Sequence, residues 1–210
     1  MILLEKQQVK TMTSHERVAG LHTAILSIYQ DNIPGDFVEC GVYLGGNVII
    51  GKKFFDSVGV IDKKYYAFDT FEGMTQPGEN DPNKDHRIWK DIAACIGPLE
   101  EVINEFKNHG VFDDRIVMIK GDVMQTLADA NNLPEKISLL RLDTDWYEST
   151  KFELEVLYSK LVPGGFLIID DYGHWDGCRK AVDEFFSQDF VTQNFTKLDY
   201  TGILYRKPSN

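Results

Sequence analysis

The sequence predicts a single α/β domain with a mainly parallel sheet, helices on both faces and a C-terminal antiparallel hairpin. Three observations predict it. Short apolar runs alternate with stretches of helical spacing along most of the chain, the pattern of repeated strand–helix–strand units. Two of those runs, the near-continuous Ile137 to Leu142 and the wholly apolar Phe166 to Ile169, are as expected of strands covered on both faces. The length, 210 residues, corresponds to about one domain at roughly 150 residues each. A chain of that size buries about 70% of its unfolded surface and needs no covalent staples.

The elements follow in order. Residues 1–35 read as an arm and a helix. Thr13 and Glu16 have capping-box spacing; Val18, Leu21, Ile25, Ile28 and Tyr29 recur at helical spacing, and Asn32, Pro34 and Gly35 stop the helix. Asp36 to Val42 is the first strand, with a helix from Gly45–Gly46 to about Ser57. Lys64 to Phe71 is the second strand. Residues 72–98 are rich in Gly, Pro, Asn and Asp; irregular stretches of that length are usually functional or disordered. This one is assigned as a lid over the active site, with a short helix around Arg87 to Ala94. Leu99 to His109 is a helix, Arg115 to Gly121 a strand, Val123 to Asn131 a helix, Ile137 to Leu142 a strand, Trp146 to Leu161 a helix stopped by Pro163–Gly164, Phe166 to Ile169 a strand and Asp176 to Phe186 a helix. Two short strands flank Thr201–Gly202.

Composition narrows the function. With 22 basic and 33 acidic residues the net charge is −11, which argues against nucleic acid as a partner because phosphate affinity rests on Lys and Arg. Cys40, Cys95 and Cys178 form no CxxC pair, so neither a disulfide framework nor a structural zinc is expected. The first ten residues are too polar for a signal peptide, and no run reaches the roughly 18–20 apolar residues that span a bilayer. A cytoplasmic protein with no membrane partner is expected. Self-association through the N-terminal helix and packing of that helix on its own core are both open.

In parallel α/β sheets ligands bind beyond the carboxyl ends of the strands, and here those ends are acidic. Glu39-Cys40-Gly41 closes the first strand, and the glycine lets backbone approach a ligand. The turn is neither GxGxxG nor a phosphate loop; an acid beside a single glycine suits a cationic group such as the amine of S-adenosylmethionine, or is only a tight turn. Asp69 ends the second strand, where an acid would meet ribose hydroxyls, or serve as a turn carboxylate. Asp122 is placed to accept from an adenine amine, or to cap the next helix. Asp143, Asp145, Asp170 and Asp171 follow two neighbouring strands, which would set Asp143 and Asp170 about 5 Å apart. Ionised carboxylates that close repel, and a hard divalent cation such as Mg²⁺ removes the conflict; the bland alternative is a set of solvated loop acids and caps, with Asp145 and Glu148 at capping spacing. His174, just past the cluster, is a candidate catalytic group or a structural histidine. Trp146 and Trp175 fit packing better than substrate contact, and Arg179 fits a structural ion pair.

The segments LDTDWYEST (Leu142 to Thr150), LVPGG (Leu161 to Gly165), DDYGHW (Asp170 to Trp175) and RKAVDEFF (Arg179 to Phe186) together resemble the macrocin O-methyltransferase family. VECGVYLGG (Val38 to Gly46) and FDTFEGM (Phe68 to Met74) are similar to its cofactor turn and the segment after its second strand. The resemblance spans about residues 36–186 and implies a class I, Rossmann-like methyltransferase fold. It implies methyl transfer from S-adenosylmethionine to a hydroxyl of a small molecule, a sugar or a glycosylated natural product. It implies Mg²⁺ ligands at Asp143, Asp170 and Asp171, a general base at Asp145 with Asp143 and His174 behind it, and cofactor contacts from Glu39, Gly41, Asp69 and Asp122. The loop from Thr75 to Lys84 stands apart from the resemblance. Two rivals use the same residues: a metal-dependent hydrolase, which needs clustered basic phosphate ligands, and a non-catalytic adenosine-binding module.

Overall fold

A computed structural model describes residues 1–92 and 95–209. Its centre is a seven-stranded sheet of β1 (Asp36–Cys40), β2 (Tyr65–Asp69), β3 (Ile116–Lys120), β4 (Ile137–Leu142), β5 (Leu161–Ile169), β6 (Thr196–Lys197) and β7 (Ile203–Arg206). The spatial order is β3-β2-β1-β4-β5-β7-β6. The first five strands are parallel, and β7 runs antiparallel to both β5 and β6. The order reverses between β1 and β4, so a crevice opens at their carboxyl ends.

The helices are α1 (His15–Gln30), α2 (Gly46–Ser57), α3 (Asn83–Ile92), α4 (Leu99–Asn108), α5 (Val123–Thr126), α6 (Tyr147–Leu157), α7 (Asp176–Phe186) and α8 (Gln188–Asn194). The strand alternation expected from a period of two sends Phe37 and Leu139 to one face and Val38 and Leu140 to the other. The first face packs against Val18, Leu21 and Ile25 of α1 and Val48 of α2; the second packs against Leu154 of α6 and Val182 of α7. The apolar face of α1 is thus consumed by the core of its own chain.

Several elements differ from the sequence expectation. Ser14, not Thr13, caps α1, accepting a hydrogen bond from the Arg17 N–H; the Thr13 hydroxyl turns inward to the site. The helix expected over Val123 to Asn131 stops at Thr126, and a short 3₁₀ turn follows at Ala130–Asn132. β5 begins at Leu161 and runs through Pro163 and Gly164, because Pro163 falls where the β4–β5 register slips between Ile137 and Leu139 and a missing N–H is tolerated. α8 was not expected. The short helix expected near Arg87 begins earlier, at Asn83; Ala93 and Ala94 lie outside the described residues.

Candidate active site

The strand tips converge on one cavity of about 340 Å³, bordered by Gly41, Asp69, Asp122, Asp143, Asp145, Asp170, Asp171 and His174. The turn after β1 requires its glycine: Gly41 has φ +82°, and a Cβ there would lie 1.9 Å from the Asp143 carbonyl oxygen. Asp69 holds the other side of that turn. Its Oδ2 accepts from the N–H of Val42 at 2.6 Å and Tyr43 at 3.0 Å, and its Oδ1 from the Phe71 N–H at 2.7 Å. Burial raises the Asp69 carboxyl, and these donors oppose the shift. Asp122 borders the cavity while capping α5 through the Met124 N–H at 2.9 Å.

Glu39 sits deeper. It is fully buried behind Thr13 and Asn47, which do line the cavity. Its Oε1 accepts from Arg141 at 2.6 Å and Asn47 at 3.1 Å, while its Oε2 has no partner. Burial pushes its carboxyl up to about 7 against the pull of Arg141.

β4 and β5 are in register at Leu142 and Ile169, so the acids that follow them are neighbours. Asp143, Asp170 and Asp171 each bring a carboxylate oxygen within 4.8 Å of the others. Arg141, 1% exposed, ties this group together. It donates to Asp143 at 2.7 Å, Asp170 at 2.5 Å, Glu39 at 2.6 Å and the Thr13 hydroxyl at 3.1 Å. Asp170 also accepts from Arg17 of α1. Asp171 Oδ2 is buried without a partner. Burial first, then the neighbouring carboxylates, drives the Asp171 carboxyl well upward.

Asp145 is not a helix cap. It adopts φ +71° and accepts from the Trp175 indole N–H at 2.5 Å, while the first N–H of α6 goes to Asp81 at 2.9 Å. Burial and the charge of Asp143 raise the Asp145 carboxyl well above its usual range, and the indole N–H opposes them. His174 lies at the mouth with Nδ1 3.3 Å from the Tyr200 hydroxyl; burial and Lys84 lower its pKa. Trp146 and Trp175 pack edge-to-face at 4.6 Å between centroids, and Trp146 donates to the Thr75 carbonyl at 2.9 Å. Arg179 holds the preceding turn through the carbonyls of Tyr172 and Gly173, each at 3.1 Å.

Several site residues escaped the sequence reading. Thr11, Met12, Thr13 and Arg17 bring the N-terminal arm to the cavity wall. Arg141 interrupts the apolar β4 run, and Glu153, fully buried on α6, accepts from Thr144 at 2.9 Å and is pushed by burial to about 8. A charge inside an apolar run was the signal for Arg141, since full burial of an unpaired cation is prohibitive.

The model of the macrocin O-methyltransferase family (TylF) matches residues 6–207. The chain belongs to this family. It is 33% identical over 198 residues, 93% of this chain and 75% of the relative, to the 8-demethyl-8-(2,3-dimethoxy-alpha-L-rhamnosyl)-tetracenomycin-C 4'-O-methyltransferase of Streptomyces olivaceus. It is 29% identical over 199 residues, 94% of this chain and 75% of the relative, to the demethyldecarbamoylnovobiocin O-methyltransferase of Streptomyces niveus. The solved structure of the O-methyltransferase NovP superposes with a TM-score of 0.84 at 28% identity, covering 94% of this chain and 82% of that one. The protein is therefore an O-methyltransferase of the class I, S-adenosylmethionine-dependent kind.

For this O-methyltransferase the resemblance also implies a magnesium ion, and the residues present fit one. The three acids offer hard oxygen ligands, and the orphaned Asp171 Oδ2 lacks the donor that a buried acceptor needs. Asp143, Asp170 and Asp171 would hold the ion.

Proposed function

We propose that this methyltransferase is magnesium-dependent and methylates a sugar hydroxyl of a small glycosylated natural product. The observation that carries the reading is the Asp143–Asp170–Asp171 triangle, which opens on the same cavity as Gly41, Asp69 and Asp122. A divalent ion there would supply the Lewis acidity that lowers a hydroxyl's pKa. The chain's own residues do the rest. Gly41, Asp69 and Asp122 would cradle the cofactor, with Glu39 supporting the turn from beneath. Asp145, and His174 at the mouth, are the groups placed to take the hydroxyl proton; general-base help is worth roughly 10²–10⁴-fold. The docked segment from Thr75 onward narrows access for water.

The acceptor class rests on the relatives named above, which by name methylate a rhamnosyl-tetracenomycin and demethyldecarbamoylnovobiocin. The chain's acidity, −11, supports a small-molecule partner over nucleic acid, and among the described residues no helix is long and apolar enough to cross a membrane. A cytoplasmic location is part of the same proposal.

The test is transfer of labelled methyl from S-adenosylmethionine to a panel of rhamnosides and other glycosides, before and after exhaustive chelation. Turnover lost on chelation and restored by Mg²⁺ is expected. Undiminished turnover in chelator would sink the metal role, and methylation only of non-sugar catechols would sink the acceptor class. Asp143→Asn should abolish turnover while sparing cofactor affinity in calorimetry.

A further inference from the structure

Both oxygens of Asp170 are engaged by guanidinium groups. Arg141 takes Oδ1 and Arg17 takes Oδ2. The two arginines are not equivalent. Arg141 is fixed in the sheet, 1% exposed, with acceptors on every side. Arg17 enters from α1 and lines the cavity. It also has somewhere else to go: its Nε lies 3.0 Å from Asp199 Oδ2 and 3.3 Å from Ser14 Oγ. Asp199 is anchored in turn by Ser14 Oγ at 2.7 Å and by the N–H groups of Thr201 at 2.9 Å and Gly202 at 2.7 Å. Arg17 can therefore give up Asp170 and keep a full charge partner.

We infer that Arg17 is an exchangeable counter-cation of the carboxylate cluster, holding Asp170 Oδ2 when no divalent ion is bound and yielding it to the ion by falling back on Asp199. The inference rests on the proposed metal site. Three carboxylates within 4.8 Å repel one another across a poorly solvated space. Arg141 reaches one oxygen of Asp143 and one of Asp170, so a second, displaceable cation on the remaining Asp170 oxygen keeps the metal-free site compact. An incoming ion must compete with it, and the affinity for metal is set by how firmly Asp199 receives Arg17. Arg17 is thus a positioning residue: it acts through Asp170.

The two partners predict opposite signs. Binding of Mn²⁺ alone, without cofactor or acceptor, is measured by calorimetry on the full chain, with melting in chelator and in saturating Mn²⁺ alongside. Arg17→Gln removes the competitor and should tighten Mn²⁺ binding about tenfold, the scale of one charged hydrogen bond; it should also melt lower than wild type in chelator, with the gap closing in Mn²⁺. Arg17→Lys should bring the affinity back toward wild type. Asp199→Asn removes the fallback and should weaken Mn²⁺ binding. A merely structural Arg17–Asp199 link would move both variants the same way, and that result overturns the inference, as does an Arg17→Gln protein that binds Mn²⁺ no more tightly than wild type. If Arg17→Gln fails to fold, Asp199→Asn alone decides: unchanged or tighter binding overturns the inference. Wild type that binds no Mn²⁺ removes the metal reading itself, and the inference with it.

Discussion

Asp85 accepts a hydrogen bond from the backbone N–H of Gly177, in the first turn of α7, at 2.9 Å. The stretch from Asp81 to Asp85 is therefore fastened to the helices that follow Asp145 and Asp171. Asp81 does the same for α6 through the Tyr147 N–H at 2.9 Å, and a Cβ on Gly177 would meet Asp81 Oδ1 at 1.8 Å. Each carboxylate satisfies an N–H that a helix start leaves orphaned and complements the positive end of the helix dipole.

Asp85→Ala should free one edge of this segment. The expected loss is about 1–2 kcal/mol, the scale of a removed N-cap, with faster proteolysis between residues 72 and 98. Urea unfolding and timed proteolysis measure both; an unaltered cleavage rate would mean the segment is held by other contacts.

Gly41→Ala should cost both stability and cofactor binding. The new methyl would collide with the Asp143 carbonyl, and the positive φ adds about 1 kcal/mol of strain. Calorimetry with S-adenosylmethionine should show affinity falling at least about tenfold, a 1.4 kcal/mol effect, with the circular dichroism spectrum retained.

Arg141→Met should be severe. It leaves Glu39, Asp143 and Asp170 without their shared cation, and removing one partner of a buried ion pair costs roughly 3–5 kcal/mol. Equilibrium urea unfolding reads this directly; a loss under about 1 kcal/mol would show that the acids simply take up protons.

Lys63 gives the pH dependence. It is 5% exposed, donates to the Gly35 carbonyl and to Ser138 at 2.8 Å, and burial lowers its pKa from 10.5 to about 8. The unfolded chain binds the extra proton between those values, so this group's penalty is full below about 8 and fades as pH rises toward 10.5. Relative to Lys63→Met, wild type should gain stability between pH 8 and pH 10.5. Urea unfolding of both proteins at pH 7.5 and about 10 checks the sign; parallel curves would refute it.

Strand ends were legible because chemistry repeats there. Short apolar runs announce β1, β4 and β5, and the acid at or just past the end of each marks the crevice. Asp143 and Asp170 follow from strand adjacency alone. The rest was hidden in tertiary contacts. Thr13 has the spacing of a cap, yet its hydroxyl serves Arg141 and Asn47 while Ser14 does the capping. Asp145 has the spacing of a cap too, but Asp81 from a distant segment takes that duty. Asp122 shows the opposite outcome, since the structure displays the cap. Arg17 carried no local signal at all, because its partner lies 182 residues away.

That separation has a consequence for folding. Thr13 meets Arg141, and Arg17 meets Asp199, so the stretch from Thr13 to Arg17 is sealed in place by residues 128 and 182 positions further along. Contacts so distant in sequence carry a high loop-closure cost, and this wall of the pocket should order late, after the parallel sheet on which it rests.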